Sequence, residues 1–318
     1  MGLAFDITSR PSHPGLELGS LKAAYQRGEN ITQLLSESSL GLSRSEIIEI
    51  AYDLQAGSYS AWALNHRAKI DAYARTIYDC CAPYLQPGDC LLDCGAGELT
   101  ALSAFSQYLP ISIQLHAFDL SLSRIRSGLK YARQHMKSEI LTNLRAFVAE
   151  LASIPLATSS MDVVMTMHAL EPNHGHEEEI LAELLRVAKR KLILFEPSWE
   201  NASADIQERM RLHGYVRGLP DAIRKLGGQL IAVQALPDPV NLQNPTYCFI
   251  IEPPPCDEPF GTASPIATYS CPRSNYPLQD YSHYCWSEQG GWCYPIIETV
   301  PCLRPQSAVL MTQPFFTD

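Results

Sequence analysis

Two aspartates, a closely spaced pair of glycines and a histidine are the residues of this 318-residue chain best placed to do chemistry. Asp93 stands just ahead of Gly95, Ala96 and Gly97, near the end of the apolar run "CLLDC". A strand that ends in Gly-Ala-Gly can bring its backbone against a ligand, because glycine tolerates the close approach and the turn angles. Thr100 stands where a dinucleotide fingerprint has its third glycine, and the Gly-Lys-Ser/Thr of a P-loop is absent. A carboxylate at position 93 repels a pyrophosphate and attracts an ammonium. The turn therefore suits an aminoacyl-nucleoside. Asp119, 26 positions on, ends "LHAFD", where a carboxylate can accept both hydroxyls of a ribose; Leu120 follows it. Glu150 ends a third run, "LRAFVAE", and Leu151 follows it, on the side expected to face an adenine.

At the other end of the pattern, His168 follows "MDVVMTM". A neutral imidazole there can take a proton near pH 7, and a histidine that merely shapes its loop fits the sequence equally well. Glu171 and Glu196 each precede a proline at a strand end, so they either bind a hydroxylated or cationic acceptor or cap the next helix. His174 and His176 open the acidic stretch "HGHEEE" and read as solvated rather than as metal ligands. No metal site is expected.

These residues need a scaffold, and the periodicity supplies one. Helical stripes are predicted over 43–64, with Ser43 or Ser45 as cap, over about 66–84 and over 121–136. Short apolar runs alternate with further helices up to "KLILFEP", the pattern of a parallel sheet covered on both faces. "GGQLIAVQALPDP" and "NPTYCFIIEPPP" read as a closing hairpin. The boundaries expected from composition are an irregular arm over 1–44, a main domain over 45–252 and a cysteine-bearing module over 253–318.

In this order, Asp93, Gly95, Gly97 and Asp119, with Glu150 and the hairpin, resemble class I S-adenosylmethionine-dependent methyltransferases over roughly 45–252. The likeness is nearest to the small-molecule branch that includes the ubiquinone and menaquinone biosynthesis enzymes. It implies an α/β, Rossmann-like, mostly parallel seven-stranded sheet with a terminal antiparallel hairpin strand, and S-adenosyl-L-methionine as cofactor. It also implies Asp93, Gly95, Ala96 and Gly97 at the methionine end, Asp119 and Leu120 at the ribose, and Glu150 and Leu151 at the adenine. Tyr52, Gln55 and Tyr59, spaced i, i+3, i+7, fit a helix that such enzymes fold over the cofactor. The strand-end "LEPN" departs from the Pro-Pro-aromatic tetrad of nucleic-acid amino-methyltransferases.

The tail "SCPRSNYPLQDYSHYCWSEQGGWCYPIIETVPCLRP" is similar to a small β-rich, zinc-ribbon-like module that activates, or is fused to, certain RNA and release-factor methyltransferases. Cys271, Cys285, Cys293 and Cys302 lack its C-x-x-C pairs, so a degenerate, metal-free module is expected.

Bulk properties narrow the function. A formal net charge of −10 disfavours duplex DNA, and the apolar runs are far too short to cross a bilayer. Ten cysteines diluted in a long chain without a visible secretory signal suggest a reducing, cytoplasmic setting. "RMRLHGYVRGLP", with Arg209, Arg211, His213, Tyr215 and Arg217, concentrates positive charge, fitting either an anionic acceptor or a solvated helix. The expected activity is methyl transfer to oxygen or nitrogen of a hydroxylated small molecule, such as a saccharide or an amino-acid-derived natural product, with a homodimer compatible. An RNA or protein acceptor recruited by the tail, and a non-catalytic cofactor-binding protein, remain rival expectations.

Overall fold

Short runs buried on both faces, alternating with one-sided helices, build the scaffold that places the strand-end residues together. The structure, a computed structural model, describes residues 17–237, 243–256 and 269–313. The first sixteen residues of the predicted arm and the middle of the hairpin loop lie outside the described residues. The chain divides into two units, residues 1–56 and 57–318.

Among its described residues the first unit is helical, and α1 and α2 lie where the sequence predicts an irregular arm. It holds α1 (Leu18–Gln26), α2 (Ile31–Ser36) and α3 (Arg44–Leu54). Asn30 caps α2 by accepting from the Gln33 amide at 3.1 Å. Ser43 caps α3 in a reciprocal box with Glu46. Leu21, Ala24, Ile31, Leu35 and Ala51 form the unit's own buried cluster, which composition alone concealed among polar residues.

The second unit opens with α4 (Ser58–Asn65) and α5 (Arg67–Cys81). β1 (Cys90–Cys94), α6 (Thr100–Phe105), β2 (Gln114–Asp119), α7 (Leu122–His135), α8 (Ser138–Thr142) and β3 (Arg145–Val148) follow. Next come β4 (Met161–Met167), α9 (Glu177–Val187), β5 (Ala188–Pro197), α10 (Ala204–Leu212) and α11 (Leu219–Lys225). The antiparallel pair β6 (Gln229–Ala235) and β7 (Thr246–Glu252) completes a seven-stranded sheet of order β3-β2-β1-β4-β5-β7-β6. β1 to β5 run parallel, and β7 is antiparallel to both neighbours. This is the Rossmann-like arrangement expected, in which ligands meet the carboxyl ends of the strands. The predicted helix over 43–64 is broken: Gly57, at φ 97°, separates α3 from α4. Tyr52 and Gln55 therefore do not share one helix with Tyr59.

The tail forms a second sheet from β8 (Gln279–Asp280), β9 (Tyr284–Ser287), β10 (Trp292–Ile297), β11 (Val300–Pro301) and β12 (Val309–Leu310). It attaches to the outer edge of the main sheet. Cys302 bridges Val148 of β3 in parallel, and the Leu303 amide donates to the Val148 carbonyl at 2.8 Å. Tyr269 pairs with Leu156 and sets its ring edge-on to Phe147 at 5.2 Å. An exposed row of unpaired main-chain groups is thereby covered. Arg126 adds two bonds to Glu298, at 2.7 and 2.6 Å, on the surface.

Magnitudes decide which contact holds the tail. Tyr269 is 5% exposed and shares the core of the main sheet, so Tyr269→Ala is expected to cost about 3 kcal/mol or more. Glu298→Ala, which removes a solvent-screened pair, is expected to cost less than about 1 kcal/mol. Denaturant midpoints of the two variants check the ranking.

Candidate functional site

β1 ends in the turn because two amides, of Gly95 and Ala96, donate to the same Phe118 carbonyl on β2, at 2.9 and 2.8 Å. Gly95 and Gly97 both have positive φ. A Cβ on Gly95 would lie 2.4 Å from the Ala169 Cβ, and one on Gly97 would lie 2.5 Å from an Arg124 nitrogen. The glycines thus let two neighbours, the loop after β4 and a side chain of α7, press against the turn.

Asp119 is tied into the same turn. Its Oδ2 accepts the Gly97 amide at 2.9 Å, its Oδ1 accepts the Ser121 amide at 3.0 Å, and Arg124 lies 3.6 Å away. Asp93 is fully buried, and neither of its carboxylate oxygens has a hydrogen-bond partner. Burial, and then the charge of Asp119, raises its pKa to about 8. A buried carboxylate without donors is costly, and a cationic group placed against it removes that cost. The residues fit an S-adenosyl ligand on this test: an unpartnered buried acid for the ammonium end, and a second acid with lone pairs to spare for a diol. Asp119→Ala is expected to weaken cofactor affinity by about tenfold to a hundredfold, as loss of charge-assisted bonds would, measured by titration calorimetry.

The remaining predicted cofactor residues spread along the strand ends. Ala96 lines the turn, Leu120 follows β2, Glu150 bridges Ser153 just after β3, and Leu151 packs on the main core. Tyr59, on α4, sets its ring over the Arg124 guanidinium at 5.1 Å. Tyr52 sits on α3, in the first unit.

At the ends of β4 and β5 the register brings distant residues together. Thr246, first in β7, pairs with Pro197, and the His168 amide donates to the Phe195 carbonyl at 2.9 Å. His168 holds a left-handed φ of 55°. Its Nδ1 meets Glu171, and its Nε2 meets the Thr246 hydroxyl at 2.8 Å. Asn244 braces Glu171 by donating at 2.8 Å. Burial pushes the imidazole pKa down, but the bond to Glu171 and the charges of Glu171 and Glu196 outweigh it, so the net direction is up. Glu171 is therefore a partner of His168.

Glu196 is fully buried. Its Oε1 accepts the Ala169 and Leu170 amides at 2.9 and 3.2 Å, which fixes the loop behind His168, while Oε2 has no partner. Burial raises its pKa to about 7. These bonds brace the loop after β4, and Glu196 does not cap α10, the helix that follows it.

The basic segment is largely engaged. Arg211 pairs with Glu208, Arg217 lies over Trp199 at 4.5 Å, and Arg209 reaches Tyr215 and the Gln243 carbonyl. His174 and His176 pair with Glu177 and Glu179 at the surface. Among the described residues no three His, Cys, Asp or Glu side chains converge as a metal would need.

Sequence reasoning missed Glu98, Arg124, Thr246 and Asn244, and it gave no separate role to Tyr73, inside the stripe predicted over about 66–84. The Tyr73 hydroxyl is buried without a partner and feels Glu196, Asp93 and Glu171. Only Glu98, next to the glycine turn, carried a positional signal.

Residues 92–195 match the family model described as a methyltransferase domain. No curated protein matches the chain by sequence. Among solved structures, a chain from the complex of the Haloferax volcanii Trm112 methyltransferase activator is 19% identical. That match covers 62% of this chain and 98% of that one, with a TM-score of 0.48. Geranyl diphosphate C-methyltransferase from Streptomyces coelicolor A3(2), with Mg2+, geranyl diphosphate and S-adenosyl-L-homocysteine, is 12% identical, covering 62% and 84%, with a TM-score of 0.47. The [4+2]-cyclase SpnF is 13% identical, covering 58% and 81%, also at 0.47. At these identities and scores they assign neither acceptor nor partner. The glycine turn, both aspartates, Glu150 and His168 all fall inside the matched domain. The activity is methyl transfer, and S-adenosyl-L-methionine is the cofactor.

Proposed function

We propose that this S-adenosyl-L-methionine-dependent methyltransferase methylates an oxygen or nitrogen of a hydroxylated small molecule, a saccharide or an amino-acid-derived natural product, with His168 as general base. One observation carries this reading. The His168 ring is held at both nitrogens, by Glu171 and Thr246, where the adjacent Ala169 touches the Gly95 turn.

When bound, the cofactor supplies an electrophilic methyl on a sulfonium. The chain's own residues supply the rest. Asp93 receives the ammonium and Asp119 the ribose hydroxyls, while Glu150 and Leu151 border the adenine. With Nδ1–H donated to Glu171, Nε2 of His168 carries the lone pair, and the Thr246 hydroxyl donates to it. An acceptor hydroxyl or amine takes the place of Thr246 on that lone pair, or passes its proton through the Thr246 hydroxyl. Glu171 then stabilises the imidazolium, as carboxylates do in histidine-based acid–base catalysis. Glu196 keeps the loop in shape.

The proposal places the chain beside the ubiquinone and menaquinone branch and reads the tail as a zinc-ribbon-like module without its metal. Three of the tail thiols have other partners: Cys271 the Tyr294 hydroxyl at 3.3 Å, Cys285 the Asp280 carboxylate, and Cys302 the Val300 carbonyl. Purified chain is expected to hold well under one zinc per molecule, with an unchanged melting temperature after dialysis against EDTA. A stoichiometric ion whose removal lowers that temperature contradicts the reading.

A second reading, an RNA or protein acceptor, is favoured by one feature. The tail is a folded sheet that exposes Tyr276, Ile297, Val309 and Leu310. Methyl-labelled cofactor, incubated with a cell extract and then fractionated by size, separates the two. Label in small molecules supports the first, and label confined to RNA or protein overturns it.

A further inference from the structure

Glu98 is 2% exposed, in the turn that follows Gly97, yet its carboxylate reaches far back along the chain. Oε1 accepts the Gly57 amide at 2.9 Å and the Tyr59 amide at 3.3 Å. Oε2 accepts the Ser60 amide at 2.9 Å and the Ser60 hydroxyl at 2.6 Å. The first-turn amides of a helix have no partners of their own, and α4 has no side-chain cap, because its N-cap is Gly57. Glu98 supplies that cap from about forty residues away, with the charge that a helix N-terminus prefers.

What α4 carries gives the cap its consequence. Tyr59 lies over Arg124, and Arg124 lies against both Asp119 and the space where Gly97 lacks a side chain. Glu98 is itself pinned from the other side. A Cβ on Gly128 of α7 would stand 2.7 Å from the Glu98 carbonyl carbon, so α7 packs directly on the turn. The path Gly97, Glu98, α4, Tyr59, Arg124 thus returns to the turn it left.

We infer that Glu98 is a positioning residue for cofactor binding: by tying α4 to the glycine turn it holds Tyr59 and Arg124 across Asp119, where the ribose is read to bind. This rests on the cofactor reading of Asp93 and Asp119. A ribose reaching Asp119 must displace or pass beside Arg124, and a ligand leaving must do the same. Untying α4 should therefore show chiefly in the rate at which cofactor escapes.

The experiment is a chase of tritiated S-adenosyl-L-methionine from the full chain. Glu98→Ala is expected to speed dissociation about tenfold or more, and Glu98→Gln, which keeps length but not charge, by less. The acceptor KM should stay within about twofold, a split that general loosening of the fold would not give. Tyr59→Ala, at a half-exposed ring, tests the same cover while leaving the Glu98 carboxylate and its bonds to α4 in place, and is expected to speed dissociation in the same direction. Dissociation unchanged in Tyr59→Ala and in every Glu98 variant that folds overturns the inference. Asp119→Ala separates the two failures: if it too leaves binding unchanged, the cofactor site is misplaced, and if it alone weakens binding, only the role of Glu98 falls.

Discussion

Cofactor affinity of the native chain is expected to climb with pH between 6 and 8, by up to about tenfold per unit and by less as pH 8 is approached, and Asp93→Asn is expected to abolish the climb. Asp93 is fully buried without a donor, and its pKa stands at about 8. Below that value the carboxyl is mostly protonated and offers an ammonium no charge. Binding a cationic ligand must expel the proton, so affinity rises until the group is ionised on its own. Asparagine imitates the protonated state at every pH, so its affinity should stay flat and fall further below that of the native chain as pH rises towards 8. The sign for folding is opposite. A carboxyl with a raised folded pKa contributes stability that is complete below its unfolded value, near 4. That contribution is lost as pH rises towards 8, so the cofactor-free protein should weaken over the range where cofactor binding strengthens. Calorimetry and thermal melts at three pH values measure both.

The second large effect lies at His168. His168→Ala is expected to lower kcat by about a hundredfold to ten-thousandfold, with cofactor affinity changed less than about threefold. The native rate should rise with pH as the imidazole loses its proton, with a midpoint above the ordinary histidine value because Glu171 favours the charged ring. Glu171→Gln removes that partner, so the midpoint should move to lower pH. A rate that ignores both substitutions means that alignment alone drives the transfer.

How far the sequence reveals this arrangement depends on the range of each interaction. The strand–turn–acid order from Cys90 to Asp119 is local, and β1 and β2 lie within a residue of their expected places. The parallel pairing follows from alternation, and the antiparallel pair β6 and β7 from the closing hairpin. Composition misled at the N-terminus, where a five-residue buried cluster organises helices that look polar in sequence. Periodicity misled at Gly57, because apolar spacing continues across a backbone break that only the left-handed angle reveals. The partners of His168 divide the same way. Glu171 is three residues away and readable, whereas Thr246 is 78 residues away and is placed only by the antiparallel return of β7. Glu98 and Arg124 escaped for the same reason. Charged residues beside a glycine turn look solvated until the helices that bury them are packed.

A crystal structure with S-adenosyl-L-homocysteine bound tests the central claim most directly. The account predicts the ligand's amino nitrogen within about 3.2 Å of an Asp93 oxygen. It also predicts both ribose hydroxyls on Asp119, with Arg124 moved from its present 3.6 Å contact. Ligand density elsewhere, with Asp93 still buried and unpartnered, would contradict it.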